Sequence, residues 1–278
     1  MDLHIHSNIS VDGTFSVEDI LVKAQKEGVD VLSVTDHNSA LAHVLLKHID
    51  KQRYFKGKVI AGAEIDVVED GVTFELLAYN FDVDPVQNWL YKKFATIDVR
   101  QTKIRDRLMN LAGQKGFKLS KNFAWDSKAE YAHHNVYRNL MQYKQNIKLF
   151  GMDIADGSEF YRNSTINKNF PLYMDMNFLW ASVKEVVKII HGSGGLVFLA
   201  HPYGYKKSMD VNKLLGICKK QGIDGIEVYH PANNNEQQAF LLDFSKKNKL
   251  QVSGGSDFHA REGEEILPFA KLKLNIKY

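Results

Sequence analysis

The sequence predicts an α/β fold, a mostly parallel sheet or barrel with a mainly helical small domain inserted in its middle. Three observations predict it. Short apolar strands alternate with amphipathic helices, the pattern of parallel β-structure. Histidines and carboxylates gather at the C-terminal ends of those strands, where barrels of this kind carry their chemistry. The alternation stops at about residue 85 and resumes near 179, which marks the insertion.

The first strand is Leu3–His6. A helix follows over 16–28, with Ser16 as cap, Asp19 three residues on and Gly28 as stop. Val17, Ile20, Leu21 and Ala24 form its apolar face. Strands are predicted over 29–35, ending at Thr35-Asp36-His37, over Lys58–Ile65, which carries Glu64, and over Thr73–Tyr79. The region 85–178 contains one clear helix, 97–115, and is then polar and aromatic with weak periodicity. It reads as a small domain over the mouth of the barrel. Beyond it, helix 182–194 opens on a Ser182/Glu185 capping signal and strand Leu196–Ala200 delivers His201. Helix 210–221 leads to strand Gly225–Tyr229, with Glu227 and His230. Helix 235–247 leads to strand Leu250–Gly254, with Asp257 and His259 just beyond. The barrel therefore comprises 1–84 and 179–278, seven strands in all.

At 278 residues, with 44% hydrophobic and 25% charged residues, the chain is long enough for a substantial core and is not a disordered type. A net charge of +3 is compatible with an anionic substrate and establishes none. The one cysteine, Cys218, excludes an intrachain disulfide and sits at a buried helix position. No leader segment is recognised and no apolar run approaches the roughly 20 residues of a membrane helix, so a cytoplasmic location is expected, with no membrane partner.

Among the eleven histidines, His43, His48 and His191 fall in helical segments and read as surface residues. The informative set is His4, His6, Asp12, His37, Glu64, Glu75, His201, Asp257 and His259. In a strand, His4 and His6 point to one face. Asp257 and His259 repeat that spacing. Nitrogen and carboxylate donors without thiolates suit zinc, manganese or iron. Nine donors exceed the needs of one ion. Two or three ions, with a carboxylate such as Glu64 between two of them, would clamp a phosphate and activate a water. Each residue also has an ordinary reading: Asp12-Gly13 as a turn, Glu75 as an outward strand residue, Asp36 as a hydrogen-bonding neighbour that orients a ligand. Their joint placement at strand ends is what argues for a metal site.

Other chemistries lack their motifs. There is no Gly-x-Gly-x-x-Gly after a strand, no phosphate-binding lysine loop and no nucleophile elbow. The basic residues at 100–107 either contact an anion or form a solvated face. Tyr131, Tyr137, Tyr143, Phe160 and Tyr161, interleaved with His133, His134 and Arg138, either stack on bases or build a small core.

The stretches Asp2-Leu3-His4-Ile5-His6-Ser7 with Asp12-Gly13, Thr35-Asp36-His37, Gly62-Ala63-Glu64-Ile65, Leu199-Ala200-His201-Pro202, Gly225-Ile226-Glu227-Val228 and Gly254-Gly255-Ser256-Asp257-Phe258-His259 occur in order along the chain. In them the chain resembles the PHP (polymerase and histidinol phosphatase) family of metal-dependent phosphoesterases. The resemblance implies a distorted (β/α)7 barrel and three divalent ions of manganese, zinc or iron. It implies His4, His6, Glu64 and Asp257 on the first ion, Glu64 and His201 on the second, and Asp12, His37 and His259 on the third. Glu75 stands where the most similar branch has a histidine, and would join the second ion.

The insertion resembles that of the branch acting on nucleoside 3′,5′-bisphosphates and RNA 5′ ends. Arg100 and Arg105 match its Arg-rich helix, and Val136-Tyr137-Arg138-Asn139-Leu140 matches its second motif. His133 and Asn135 replace an arginine and a histidine of that motif. The resemblance implies hydrolysis of a nucleotide phosphomonoester, or of a short RNA or DNA 5′ end, by a metal-activated hydroxide. Glu64, His201, Asp257 and His259 are the expected catalytic set. Arg100, Arg105, Arg138, His133 and His230 are the expected substrate contacts. The alternatives are a histidinol-phosphate phosphatase, a metal-dependent amidohydrolase and a non-catalytic nucleotide-binding module.

Overall fold

The computed structural model describes residues 1–127, 129–205 and 210–267. Helix α1 (Val17–Lys26) opens on the predicted capping box. The Asp19 N–H donates to Ser16 Oγ at 3.1 Å, and the Ser16 N–H donates back to the Asp19 carboxylate at 3.2 Å. Two satisfied backbone groups fix where the helix begins. Gly28, at φ +71°, then turns the chain into strand β1 (Val31–Leu32). Helix α2 (Leu41–Leu46) and strand β2 (Lys58–Val59) follow. The predicted strand 58–65 is thus two pieces, because the longer strand β3 (Gly62–Glu69) begins only after β2 has ended.

Strand β4 (Val72–Tyr79) pairs with β3 antiparallel. The cause is local. Asp70 and Gly71, at φ +52° and +70°, form a two-residue turn whose twist matches a hairpin. Strand β5 (Leu196–Leu199) pairs with β4, again antiparallel. Strands β6 (Gly225–Tyr229) and β7 (Gln251–Gly254) then add in parallel. The main sheet is mixed, with order β3-β4-β5-β6-β7, rather than mostly parallel.

The predicted strand Leu3–His6 makes isolated bridges instead of a ladder: Asp2 with Leu32 and Ile5 with Phe258. His37 makes a third such bridge, with Glu64. These link the two-stranded sheet β1-β2 to both edges of the main sheet. Among the described residues the ladders do not close into a barrel; the architecture is mixed α/β.

Helices α8 (Val183–Gly192), α9 (Val211–Gln221) and α10 (Asn235–Asn248) alternate with the last strands as predicted. Ser182 caps α8 by accepting from the Glu185 N–H, and Gly222 ends α9 at φ +77°. Between β4 and α8 run α3 (Val83–Phe94), α4 (Ile97–Gln114), α5 (Ala132–Met141), α6 (Gln145–Leu149) and α7 (Gly157–Ile166). A division at 84/85 would cut α3, which packs on α2 and α8. Helices α4, α5 and α7 pack on one another, and α7 lies on β4. Their buried Ile104, Leu108, Val136 and Phe160 belong to the same apolar core as Ile65, Leu76 and Leu199. No helix among the described residues is long and apolar enough to cross a membrane.

Candidate metal centre

Four ligand-type atoms converge where the N-terminal segment meets β3 and the turn after β7. His4 Nε2 lies 3.2 Å from His6 Nε2. Glu64 Oε2 is 3.4 and 3.3 Å from these two nitrogens, and Asp257 Oδ1 is 3.3 and 3.2 Å from them. A tetrahedron with edges of about 3.3 Å has its centre about 2.0 Å from each corner, the bond length zinc makes to imidazole and carboxylate. The donor set therefore fits a divalent ion.

The other predicted ligands surround this point. Glu64 turns its second oxygen, Oε1, to His201 Nε2 at 3.0 Å, while Oε2 also faces His37 Nδ1 at 3.2 Å. One carboxylate thus serves two neighbouring groups. Glu75 Oε2 lies 3.5 Å from His201 Nε2. Asp12 Oδ2 lies 3.2 Å from His259 Nε2 and 3.7 Å from His37 Nε2. The His259 ring stacks on His6 with centroids 4.2 Å apart. The nine predicted ligands form one contiguous cluster.

Backbone devices aim them. His201 and Asp257 hold φ of +22° and +56°, a left-handed conformation costly for residues with a side chain and concentrated at functional sites. The i, i+2 relation of Asp257 and His259 therefore arises from a turn, not from a strand. Asp36 accepts from the Ser7 N–H and from the Ser7 and Ser10 hydroxyls at 2.7–2.8 Å. It braces the His6 and His37 segments, as its neighbouring position suggested. Glu227, fully buried, lies 3.0 Å from His4 Nδ1 and accepts the His201 N–H at 2.8 Å. A carboxylate behind an imidazole fixes the ring and its tautomer.

The electrostatics follow from packing opposite charges out of water. Burial alone would raise Glu64 and Asp257, yet the surrounding imidazoles hold both well below the usual carboxylate range. Burial would lower His201, but Glu64 and Glu75 lift it to about 9. Glu75 is pushed up to about 7, first by burial and then by the Glu64 charge.

A cavity of about 320 Å³ opens beside the cluster, with Asp12, His37, Glu75 and His201 at one side and α4, α5 and α7 at the other. Arg100 lines it and is only 5% exposed. No hydrogen bond or ion pair holds its guanidinium among the described residues; it faces the Phe94 ring at 6.0 Å. Tyr131 and Tyr161 line the same space, with hydroxyls kept protonated by burial. So does His133, packed edge-on against Tyr161, whose imidazole burial pushes down to about 3.

The remaining predicted substrate contacts lie elsewhere. Arg105 donates to Asn135 Oδ1 and the Phe123 carbonyl and covers Trp125. Arg138 is paired with Glu130 at 2.7 Å. Neither lines the cavity, because each is committed to a neighbour within the insertion. His230 also does not line it. The Ala232 N–H donates to His230 Nδ1, so the proton of the neutral ring sits on Nε2, 3.5 Å from Asp257 Oδ2. His43, expected on the surface, is buried, with Nε2 2.7 Å from the Val34 carbonyl and 2.9 Å from the Gly62 amide.

Sequence reasoning missed Asp66, Arg162, Arg261 and Tyr205, which line the cavity. Asp66 was findable: two residues after Glu64 on β3, it shares that strand face. Arg261 pairs with Asp12 at 3.2 Å, and no local pattern announces it.

The family model of the PHP domain matches residues 2–237. The chain belongs to the PHP domain family. It is 28% identical to a 5'-3' exoribonuclease of Haemophilus influenzae, over 93% of this chain and 89% of that protein. It is 24% identical to a phosphoribosyl 1,2-cyclic phosphate 1,2-diphosphodiesterase of Eggerthella lenta, covering 94% and 95%. A 3',5'-nucleoside bisphosphate phosphatase of Chromobacterium violaceum is 22% identical, covering 94% and 87%. The fold matches a crystal structure from Bifidobacterium adolescentis, assigned to the metal-dependent phosphoesterases, with TM-score 0.67 and 21% identity over 99% of this chain and 92% of that one.

Proposed function

We propose that the chain is a metal-dependent phosphoesterase acting on phosphomonoesters of nucleotides, a nucleoside 3′,5′-bisphosphate or a short oligonucleotide 5′ end. The observation that carries this reading is the convergence of His4, His6, Glu64 and Asp257 on one point beside a cavity with a buried, unpaired arginine. Those four residues hold one ion. Glu64, His201 and Glu75 hold a second, and Asp12, His37 and His259 a third. Ions bound there supply a Lewis acid for the phosphoryl oxygens and activate a water. On this reading the isolated bridges complete a distorted barrel around the cluster, and 85–178 covers its mouth.

The protein's own residues do the rest. Arg100 has no internal counter-charge, so it receives a second phosphate. Tyr131 and Tyr161 donate hydrogen bonds or stack on the nucleoside. His230 presents an Nε2–H beside Asp257, where it can orient a phosphoryl oxygen. The walls of the insertion keep bulk water from the reacting ester.

The deciding experiment is phosphate release from adenosine 3′,5′-bisphosphate by manganese-loaded protein. AMP, histidinol phosphate, a 5′-phosphorylated dinucleotide and a cyclic phosphodiester run in parallel, with His4→Ala as control. Turnover of the bisphosphate or the dinucleotide, abolished in the control, is expected. Preference for another ester discards the substrate. No turnover of any ester with ions bound discards the reading.

A further inference from the structure

The donor groups in the cluster differ in composition, and the difference is chemical. Around Asp12 the donors are the imidazoles of His6, His37 and His259 with one carboxylate. Around His201 they are two carboxylates, Glu64 and Glu75, with one imidazole. Asp66, opposite Glu75 in the β3–β4 register, adds a further carboxylate within reach of Glu75 and His37.

Glu75 is held in place for this. The Tyr205 hydroxyl donates to Glu75 Oε2 at 3.1 Å and accepts the Glu75 N–H at 2.8 Å. One phenol thus fixes both the backbone and the carboxylate of Glu75, leaving the latter 3.5 Å from His201 Nε2. A carboxylate pinned this way is a preset donor and not a drifting surface charge.

Resting on the reading of the cluster as a metal centre, we propose that it sorts its ions. The Glu64/Glu75/His201 group takes an oxygen-preferring ion of the manganese type. The Asp12/His6/His37/His259 group takes a nitrogen-preferring ion of the zinc type. Imidazole suits zinc and iron, while carboxylate and water suit manganese and magnesium. Zinc is the stronger binder at most sites in absolute terms, so the sorting lies in the ratio of affinities and shows when manganese is in excess over buffered zinc.

The test measures bound metal, not turnover. Metal-free protein is equilibrated with excess manganese and buffered zinc, then washed. Total metals are read by atomic emission and manganese by electron paramagnetic resonance. The wild type is expected to carry both metals together. Glu75→His is expected to lower the bound manganese-to-zinc ratio about tenfold or more, the scale on which changes around a metal shift its affinity. Tyr205→Phe, which frees the carboxylate without removing it, is expected to give a smaller drop and provides a reading if Glu75→His does not fold. An unchanged ratio in folded Glu75→His, or in Tyr205→Phe where Glu75→His does not fold, overturns the sorting and leaves the metal centre intact. A wild type that binds neither ion overturns the metal centre itself.

Discussion

Glu227 and His4 form a contact that excludes solvent altogether: carboxylate oxygen and ring Nδ1 are 3.0 Å apart and both side chains are 0% exposed. The contact turns the other ring nitrogen toward Glu64 and Asp257. Glu227→Gln keeps the shape and removes the charge. It should weaken metal binding about 10- to 100-fold while the fold persists. Titration of the metal-free variant with manganese or zinc checks this; unchanged affinity would make Glu227 a packing residue.

Arg100 should show itself in substrate binding. A charge-assisted hydrogen bond contributes about 1.5–3 kcal/mol, so Arg100→Ala should raise KM for the bisphosphate about ten- to a hundredfold with kcat held. Arg100→Lys should recover part of it. Steady-state kinetics decide, and a fall in kcat at constant KM would place Arg100 outside the phosphate subsite.

His133 gives a pH signature. Folded, its imidazole stays neutral down to about 3; unfolded, it protonates near its ordinary value of 6.5. Between those values the unfolded chain binds more protons, so stability rises with pH through this window and is lost as pH falls. His133→Gln should flatten the dependence of Tm on pH below about 6.5, by an amount on the order of a few kcal/mol at the acid end. Thermal unfolding of both proteins in chelator checks it. Parallel curves would mean that the imidazole charges freely in the folded state.

Gly255 touches His4 too closely for a side chain. A Cβ there would lie 2.2 Å from His4 Cβ and 2.4 Å from its backbone nitrogen. Gly255→Ala should destabilise by about 1–3 kcal/mol and displace His4, with metal lost in step. Denaturant unfolding together with metal content reads both effects. Full metal content in a destabilised variant would separate the two.

Much of the cluster was legible because its chemistry is written in residue type and local spacing. His4-x-His6, Thr35-Asp36-His37 and Asp257-x-His259 sit at turns out of apolar runs, and helix caps such as Ser16/Asp19 identify themselves. The sheet was less legible because pairing partners are not local. Asp70-Gly71 did announce a hairpin, but the antiparallel β4–β5 pairing depends on a chain return across the whole insertion. The arginines were least legible. Arg100 and Arg105 look alike in sequence, and only packing decides that one faces a cavity while the other is consumed by Asn135 and Phe123.

The Ile5–Phe258 bridge brings the two ends of the described fold side by side. During synthesis His4 and His6 leave the ribosome first, and Asp257 and His259 leave more than 250 residues later. The early histidines must wait, unligated and without their stacking partner, until nearly all the polypeptide has been made. A chain cut short before Asp257 could gather much of its apolar core and still lack the carboxylate that completes the tetrahedron. Metal retention would then report on complete translation, independently of how well the truncated product collapses.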